Sequence, residues 1–261
     1  MTKITGHRGA RNIWPENSLT GFRNVLALDV DAVEFDVHLT DAGELVVIHD
    51  ATLQRTTDKT GLVRSLTPQT RKSAHLEGSA DTVPMLAEVL AILAEKDGKQ
   101  LHVEIKSDEA KRPYPGITEK VVAEIERFGL GNRCHLTSFD VSVLEECHRV
   151  APQIARLVSV NAEWAAKQGG LETFLHMAEG LVDIVAIHHE LMAAEWTLIT
   201  EKLPLDRLCV WTLNEEALIR HWLERGIGHL TSDSPDLALR LRGEIQSQFE
   251  PARPAGSNLF I

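Results

Sequence analysis

Glu34 and Asp36 alternate with Val33, Phe35 and Val37, so a strand through this stretch carries two carboxylates on one face and apolar side chains on the other. A second stretch repeats the arrangement, with Leu101, Val103 and Ile105 on one face and His102, Glu104 and Lys106 on the other. If both strands belong to a barrel whose helices cover the apolar faces, the acidic faces point inward. Burying carboxylates is costly unless they are paired or bind a cation. Three carboxylates with few soft ligands beside them suit one hard divalent cation, Mg²⁺ or Ca²⁺, better than zinc. The same pattern also fits a buried ion-pair network of Lys106 with Glu34, Asp36 or Glu104.

Two histidines are expected near these acids. His7 ends the first strand-like stretch and is followed by Arg8. Residues 44–50 read as a strand separated from 32–40 only by Asp41-Ala42-Gly43, too short for a parallel crossover, so the two form a hairpin. A turn centred near Ala42 sets Ile48 or His49 opposite Asp36. Imidazole titrates near neutrality, which lets one histidine accept a proton while the other donates one. The chain has 12 histidines and most can have no catalytic role, so the neighbours decide. Arg8 and Lys106 supply two cations for phosphate oxygens among acids suited to a metal, a combination that describes a phosphoryl-transfer site.

The elements that must position these residues alternate between strand and helix. Strands are expected at 3–7, 32–38, 101–106, 134–139, 154–159, 183–189, 208–213 and 229–233, with helical periodicity at 18–28, 85–95, 116–128, 141–150, 171–178 and 215–225. Such units predict an α/β fold, a closed (β/α)8 TIM barrel, as a single domain over residues 1–245. A hairpin-containing insertion of about 41–81 follows the second strand. Asn17 suits the cap of the first helix. Residues 246–261, with Pro251, Pro254 and Gly256, suggest a loosely ordered tail.

Bulk properties narrow the function. A formal net charge of −11 opposes binding to nucleic acid. The three cysteines, Cys134, Cys147 and Cys209, lack the spacing of a zinc site and suggest reduced packing residues. No basic and apolar leader pattern opens the chain, and every apolar run is shorter than the roughly 20 residues of a membrane span. A cytoplasmic protein without membrane insertion is the expectation, and monomer or homodimer stays open. There is no G-x-G-x-x-G or G-x-x-x-x-G-K-[ST] loop for a nucleotide and no G-x-S-x-G elbow for a serine hydrolase. His188 and His189, adjacent on an expected strand, should point to opposite faces and cannot chelate together, and His38 reads as structural or pocket-lining.

His7-Arg8-Gly9-Ala10, Pro15-Glu16-Asn17-Ser18, Glu34-Phe35-Asp36-Val37, His49-Asp50 with Leu53-x-Arg55-Thr56-Thr57, and Glu104-Ile105-Lys106 occur in an order and spacing that resembles the glycerophosphodiester phosphodiesterases, of the bacterial cytosolic type. Ser138-Phe139, Trp211-Thr212-x-Asn214 and Asp233-x-Pro235 extend the resemblance over most of the chain. The resemblance implies a metal held by Glu34, Asp36 and Glu104, His7 and His49 as general acid and base, and Arg8 and Lys106 on phosphate. It also implies that Trp211 lines the substrate pocket, where aromatic packing at the barrel mouth is the competing explanation. The substrate would be a small glycerophosphodiester cleaved to glycerol 3-phosphate and an alcohol, a reaction of glycerol and lipid metabolism. Ser232 separates Thr231 from Asp233 where the family has Asp directly after an Ile-Thr pair, which argues against a role for Asp233. Asp50 either orients His49 or starts the next loop. The rival readings are a phospholipase of the D type or an inositol-phospholipid phosphodiesterase on a related barrel, and a barrel that only binds a phosphoester.

Overall fold

The apolar strand faces and the amphipathic helices find each other across one closed sheet. The computed structural model describes residues 1–249. Its first elements are β1 (Lys3–Gly6), α1 (Leu19–Val25), β2 (Ala32–Leu39), β3 (Leu45–Val47), α2 (Pro68–Arg71) and α3 (Leu86–Leu93). Next come β4 (Gln100–Ile105), α4 (Ile117–Arg127), β5 (Cys134–Ser138), α5 (Val141–Val150), β6 (Ala155–Val160), α6 (Ala162–Lys167) and α7 (Leu171–Leu181). The chain continues through β7 (Ile184–His188), α8 (His189–Ala194), α9 (Trp196–Lys202), β8 (Leu208–Trp211), α10 (Glu216–Glu224), β9 (His229–Ser232) and α11 (Pro235–Phe249). All strands except β3 are parallel neighbours in the order β1-β9-β8-β7-β6-β5-β4-β2, and a β1–β2 pairing closes the TIM barrel. Each strand expected for the barrel is present, with ends that differ by a residue or two.

The short length of β1 decides where the hairpin goes. β1 pairs with β2 at Ala32 and Val33 and then turns away at His7–Gly9, leaving the rest of that β2 edge open. β3 occupies it, antiparallel, with Val37 opposite Val47 and Leu39 opposite Leu45. Ile48 N donates to the Asp36 carbonyl at 3.1 Å, so Ile48 stands opposite Asp36 as expected and His49 comes next. On the other edge β4 sets Asp36 beside Glu104 and Glu34 beside His102.

Val33, Phe35, Val37, Leu101, Val103 and Ile105 join one core with Phe22 of α1, Leu86 and Leu90 of α3 and Val121 of α4. Phe22 meets Phe35 edge to face at 5.6 Å. Each such side chain contributes roughly 1.5–3 kcal/mol on burial, enough to fix which face of β2 turns inward. The insertion has a smaller core of its own, from Val46, Ile48, Leu53, Val63, Leu66, Ala74, Leu76 and Val83. Arg71 Nη1 closes it by donating to the Val83 carbonyl at 3.0 Å. The loop carrying His49 is therefore packed down, not free.

Three local expectations change. Ser18, not Asn17, caps α1, its Oγ accepting from Gly21 N at 2.8 Å; Asn17 lies at φ 55° and sends its side chain elsewhere. His188 and His189 do not oppose each other, because β7 ends at His188 and a helix begins at His189, which leaves the rings 4.5 Å apart. α11 runs past residue 245 to Phe249, and the rest of the expected tail, 250–261, lies outside the described residues. Among the described residues no helix is long and apolar enough to cross a membrane. The three cysteines are buried and unpaired.

At the end of the barrel away from the acids, His229 is buried beside His102 and His135, and its Nε2 lies 3.2 Å from the Asp206 carbonyl. Burial, with Lys3 and His135 nearby, pushes its pKa down to about 4. The unfolded chain then takes up the proton first. Stability is intact above pH 6.5, falls as the pH drops through that value, and levels off near pH 4, at a total of about 3 kcal/mol for this group. Chemical denaturation at stepped pH should show a shallower acid decline in His229→Gln than in the wild type; equal slopes would contradict this.

Candidate active site

β2 and β4 deliver their carboxylates to the open end of the barrel. Oxygens of Glu34, Asp36 and Glu104 lie within 4.8 Å of one another, and among the described residues no other three His, Cys, Asp or Glu side chains converge in this way. Glu34 Oε1 and Asp36 Oδ1 are buried without a hydrogen-bond partner. Burial and the two neighbouring carboxylates raise the Glu34 pKa well above its usual range. Burial acts the same way on Asp36, but Lys106, His49, Arg8 and the Asn17 amide outweigh it and hold Asp36 ionised. Three mutually repelling acids, two of them with an oxygen that accepts no hydrogen bond, fit a hard divalent cation.

The expected cations are also here. Lys106 Nζ lies 2.7 Å from Glu104 Oε1 and 3.3 Å from Asp36 Oδ1. Arg8 donates its backbone N–H to Glu34 Oε2 at 3.0 Å, and its guanidinium approaches Asp36 Oδ2 at 3.5 Å and Glu16 Oε1 at 3.1 Å. Asn17 Nδ2 donates to Asp36 Oδ2 at 2.8 Å. The ion-pair network and the metal-like cluster thus coexist. Arg8 reaches its place from φ 50°, a conformation that costs on the order of 1 kcal/mol outside glycine. Gly9 follows at φ 75°, where a Cβ would also press on the Phe22 ring at 3.4 Å.

Each histidine has a carboxylate behind it. His7 Nδ1 is 2.5 Å from Asp233 Oδ1, and its Nε2 is 3.7 Å from Glu34 Oε2. Asp233 is in turn held by Asn214, which donates Nδ2–H to Oδ2 at 2.7 Å and accepts from the Asp233 backbone at 2.9 Å. Burial lowers the His7 pKa against the opposing pull of Asp233. Asp233 sits at about 2, because the bond with His7 overcomes its burial. The sequence pattern argues against Asp233, and the structure reverses this. Gly6 pairs with Ser232, so the next residues, His7 and Asp233, leave adjacent strand ends together. In a closed barrel the first and last strands are neighbours, and that rule applied to the sequence finds Asp233.

His49 Nδ1 is 2.6 Å from Asp50 Oδ1, so Asp50 orients it. His38, inward on β2, lies 3.1 Å by Nε2 from the His49 carbonyl and 3.0 Å by Nδ1 from Tyr114 Oη, which fixes the loop from behind. His7, Arg8, Glu34, His49, Glu104 and Trp211 line one cavity of about 120 Å³. Lys106 lines a wider adjoining cavity of about 440 Å³ that shares His49 and Glu104. Trp211 packs edge to face on Phe139 at 5.5 Å and also lines the cavity, with Nε1 buried and unpartnered.

Residues 7–237 match the model of the glycerophosphoryl diester phosphodiesterase family. The chain belongs to this family. A glycerophosphodiester phosphodiesterase of Bacillus altitudinis is 32% identical, over 94% of this chain and 100% of that protein. A crystal structure of a putative glycerophosphoryl diester phosphodiesterase from Agrobacterium tumefaciens superposes with a TM-score of 0.85 at 26% identity, covering 95% of this chain and 99% of that one. An Oleispira antarctica phosphodiesterase, solved with the product sn-glycerol-3-phosphate, shares the fold at a TM-score of 0.72 and 23% identity, over 92% of this chain and 96% of that one. As a member of the glycerophosphoryl diester phosphodiesterase family, the chain is an enzyme.

The crowding of the acids has a measurable consequence in this phosphodiesterase. Above the raised Glu34 pKa, Glu34→Gln removes one of three repelling charges, so there the metal-free variant should melt a few degrees above the wild type. Mg²⁺ or Ca²⁺ should raise the melting temperature of the wild type and leave the variant unmoved. An undiminished cation response in Glu34→Gln would contradict the assignment.

Proposed function

We propose that the chain hydrolyses small glycerophosphodiesters to glycerol 3-phosphate and an alcohol, using one divalent cation, Mg²⁺ or Ca²⁺, held by Glu34, Asp36 and Glu104. The observation that carries the reading is the pairing of two imidazoles with two carboxylates at one cavity. His7 Nδ1 faces Asp233 and His49 Nδ1 faces Asp50, which leaves Nε2 of each ring for the substrate. A barrel that only binds a phosphoester needs no such pair of proton carriers.

The bound cation would polarise the phosphoryl oxygens and offset the charge of the acids. Arg8 and Lys106 stabilise the charge that builds on the non-bridging oxygens, from positions set by Asp36, Glu16 and Glu104. One histidine takes the proton of the attacking hydroxyl as the new P–O bond forms. The other gives a proton to the leaving alkoxide as the old P–O bond breaks. Water supplies the oxygen that ends on glycerol 3-phosphate, either directly or by opening a cyclic phosphate made with the substrate's own hydroxyl. The 120 Å³ cavity, walled by Trp211, suits a glyceryl group, and the adjoining 440 Å³ cavity leaves room for the departing alcohol. The product named for the Oleispira antarctica phosphodiesterase is the one proposed for this chain. Among the described residues no helix is long and apolar enough to cross a membrane.

Turnover of a panel of glycerophosphodiesters and lysophospholipids, with and without chelator, tests this directly. The diesters should be cleaved with Mg²⁺ or Ca²⁺ and spared after chelation. His7→Ala and His49→Ala should each lower kcat by about 10²–10⁴-fold. Unchanged turnover in either variant, metal-independent cleavage or a strong lysophospholipid preference would overturn the reading.

A further inference from the structure

The Leu53-x-Arg55-Thr56-Thr57 segment has no part in the chemistry above, yet its arginine joins the supports of both histidines. Arg55 Nε donates to Asp50 Oδ2 at 2.6 Å and Nη2 to Asp50 Oδ1 at 3.0 Å. Its outer edge meets Glu16, Nη1 to Oε2 at 2.9 Å and Nη2 to Oε1 at 2.8 Å. Glu16 also contacts Arg8 Nη1 at 3.1 Å and Arg11 Nη1 at 3.6 Å. Arg11 Nε then reaches Asp233 Oδ1 at 3.1 Å, and Asp233 holds His7. One ion chain therefore runs from His49 through Asp50, Arg55, Glu16, Arg11 and Asp233 to His7.

We propose that Arg55 is a positioning residue for the reaction: bridging Asp50 of the insertion and Glu16 of the barrel, its guanidinium locks Asp50, and through Asp50 the His49 ring, relative to His7. This rests on the two-histidine reading above. Asp50 directly follows His49 and its side chain is about a quarter exposed, so by itself it is free to turn to solvent and release the ring. A guanidinium that binds both carboxylate oxygens removes that freedom, because the fork fixes the plane as well as the distance. Direct action on substrate is not the role. Both edges of the guanidinium are engaged by carboxylates, and Arg55 lines neither of the two catalytic cavities.

The Arg55 side chain is 45% exposed, so solvent screens its share in folding even within a bidentate network. A misplaced proton carrier, by contrast, lowers rate steeply. Loss of Arg55 should therefore be felt in kcat far more than in melting temperature.

The test uses the full chain with saturating Mg²⁺ and glycerophosphocholine, comparing wild type, Arg55→Gln, Arg55→Lys, Asp50→Asn and the Asp50→Asn/Arg55→Gln double variant. Imidazole signals of His49 are followed by NMR on histidine-labelled protein. Arg55→Gln should lower kcat by about 10–100-fold, with KM changed less than about twofold and melting temperature held. The slowly exchanging Nδ1–H signal of His49 should be lost in Arg55→Gln. Arg55→Lys, which keeps the charge but not the fork, should fall between it and wild type, and the double variant should be no slower than Asp50→Asn. A wild-type His49 signal and kcat in Arg55→Gln would overturn the proposal. So would a change confined to KM, multiplicative effects in the double variant, or a kcat loss that merely follows unfolding. If the wild type cleaves no glycerophosphodiester, the proposed function fails separately; the His49 signal then decides, its loss in Arg55→Gln supporting the positioning role and its persistence overturning it.

Discussion

Mutual repulsion among Glu34, Asp36 and Glu104 is the constraint around which the rest of the molecule is arranged. Their oxygens come within 4.8 Å of one another at a buried barrel mouth, where each like-charge pair costs on the order of 3 kcal/mol. Lys106 and Arg8 offset part of this, and the burden shows in the raised Glu34 pKa and in oxygens left without donors. Two of the residues with positive φ fall in the same place. Arg8 at φ 50° and Asn17 at φ 55° both address Asp36. Such strain persists where the surrounding structure over-determines it, as at sites that must hold charge in a set geometry.

Barrel closure does the remaining positioning. β1 stops early enough to free the edge of β2, and β3 uses that edge to bring His49 to the acids. β1 also lies beside β9, so His7 and Asp233 emerge next to each other although they are far apart in sequence. His7 and His49 therefore come from different structural units, one from the barrel and one from the packed insertion. The ion chain through Glu16 and Arg55 joins the supports of the two histidines across those units.

Much of this was legible in the sequence because period-two alternation is a local signal. Val33, Phe35 and Val37 against Glu34 and Asp36 define a strand and its inward face without any knowledge of the partner. The three-residue link at Asp41-Ala42-Gly43 likewise forces a hairpin, and the register follows from counting. Contacts made across the closure are harder to read, since nothing local to Asp233 announces His7. Asn17 misleads for a related reason: an Asn beside a helix start is usually a cap, and only the fold reveals that Ser18 performs that task while Asn17 serves Asp36. His188 and His189 show the limit of alternation itself, which ends where the strand ends.

The central claim is that the three inward carboxylates hold one divalent cation. Anomalous diffraction from crystals soaked in Mn²⁺, a hard ion that substitutes for Mg²⁺, addresses it most directly. The account predicts one strong peak within coordination distance of Glu34, Asp36 and Glu104 together. No peak there at saturating Mn²⁺, or a peak bound only elsewhere on the chain, would contradict it.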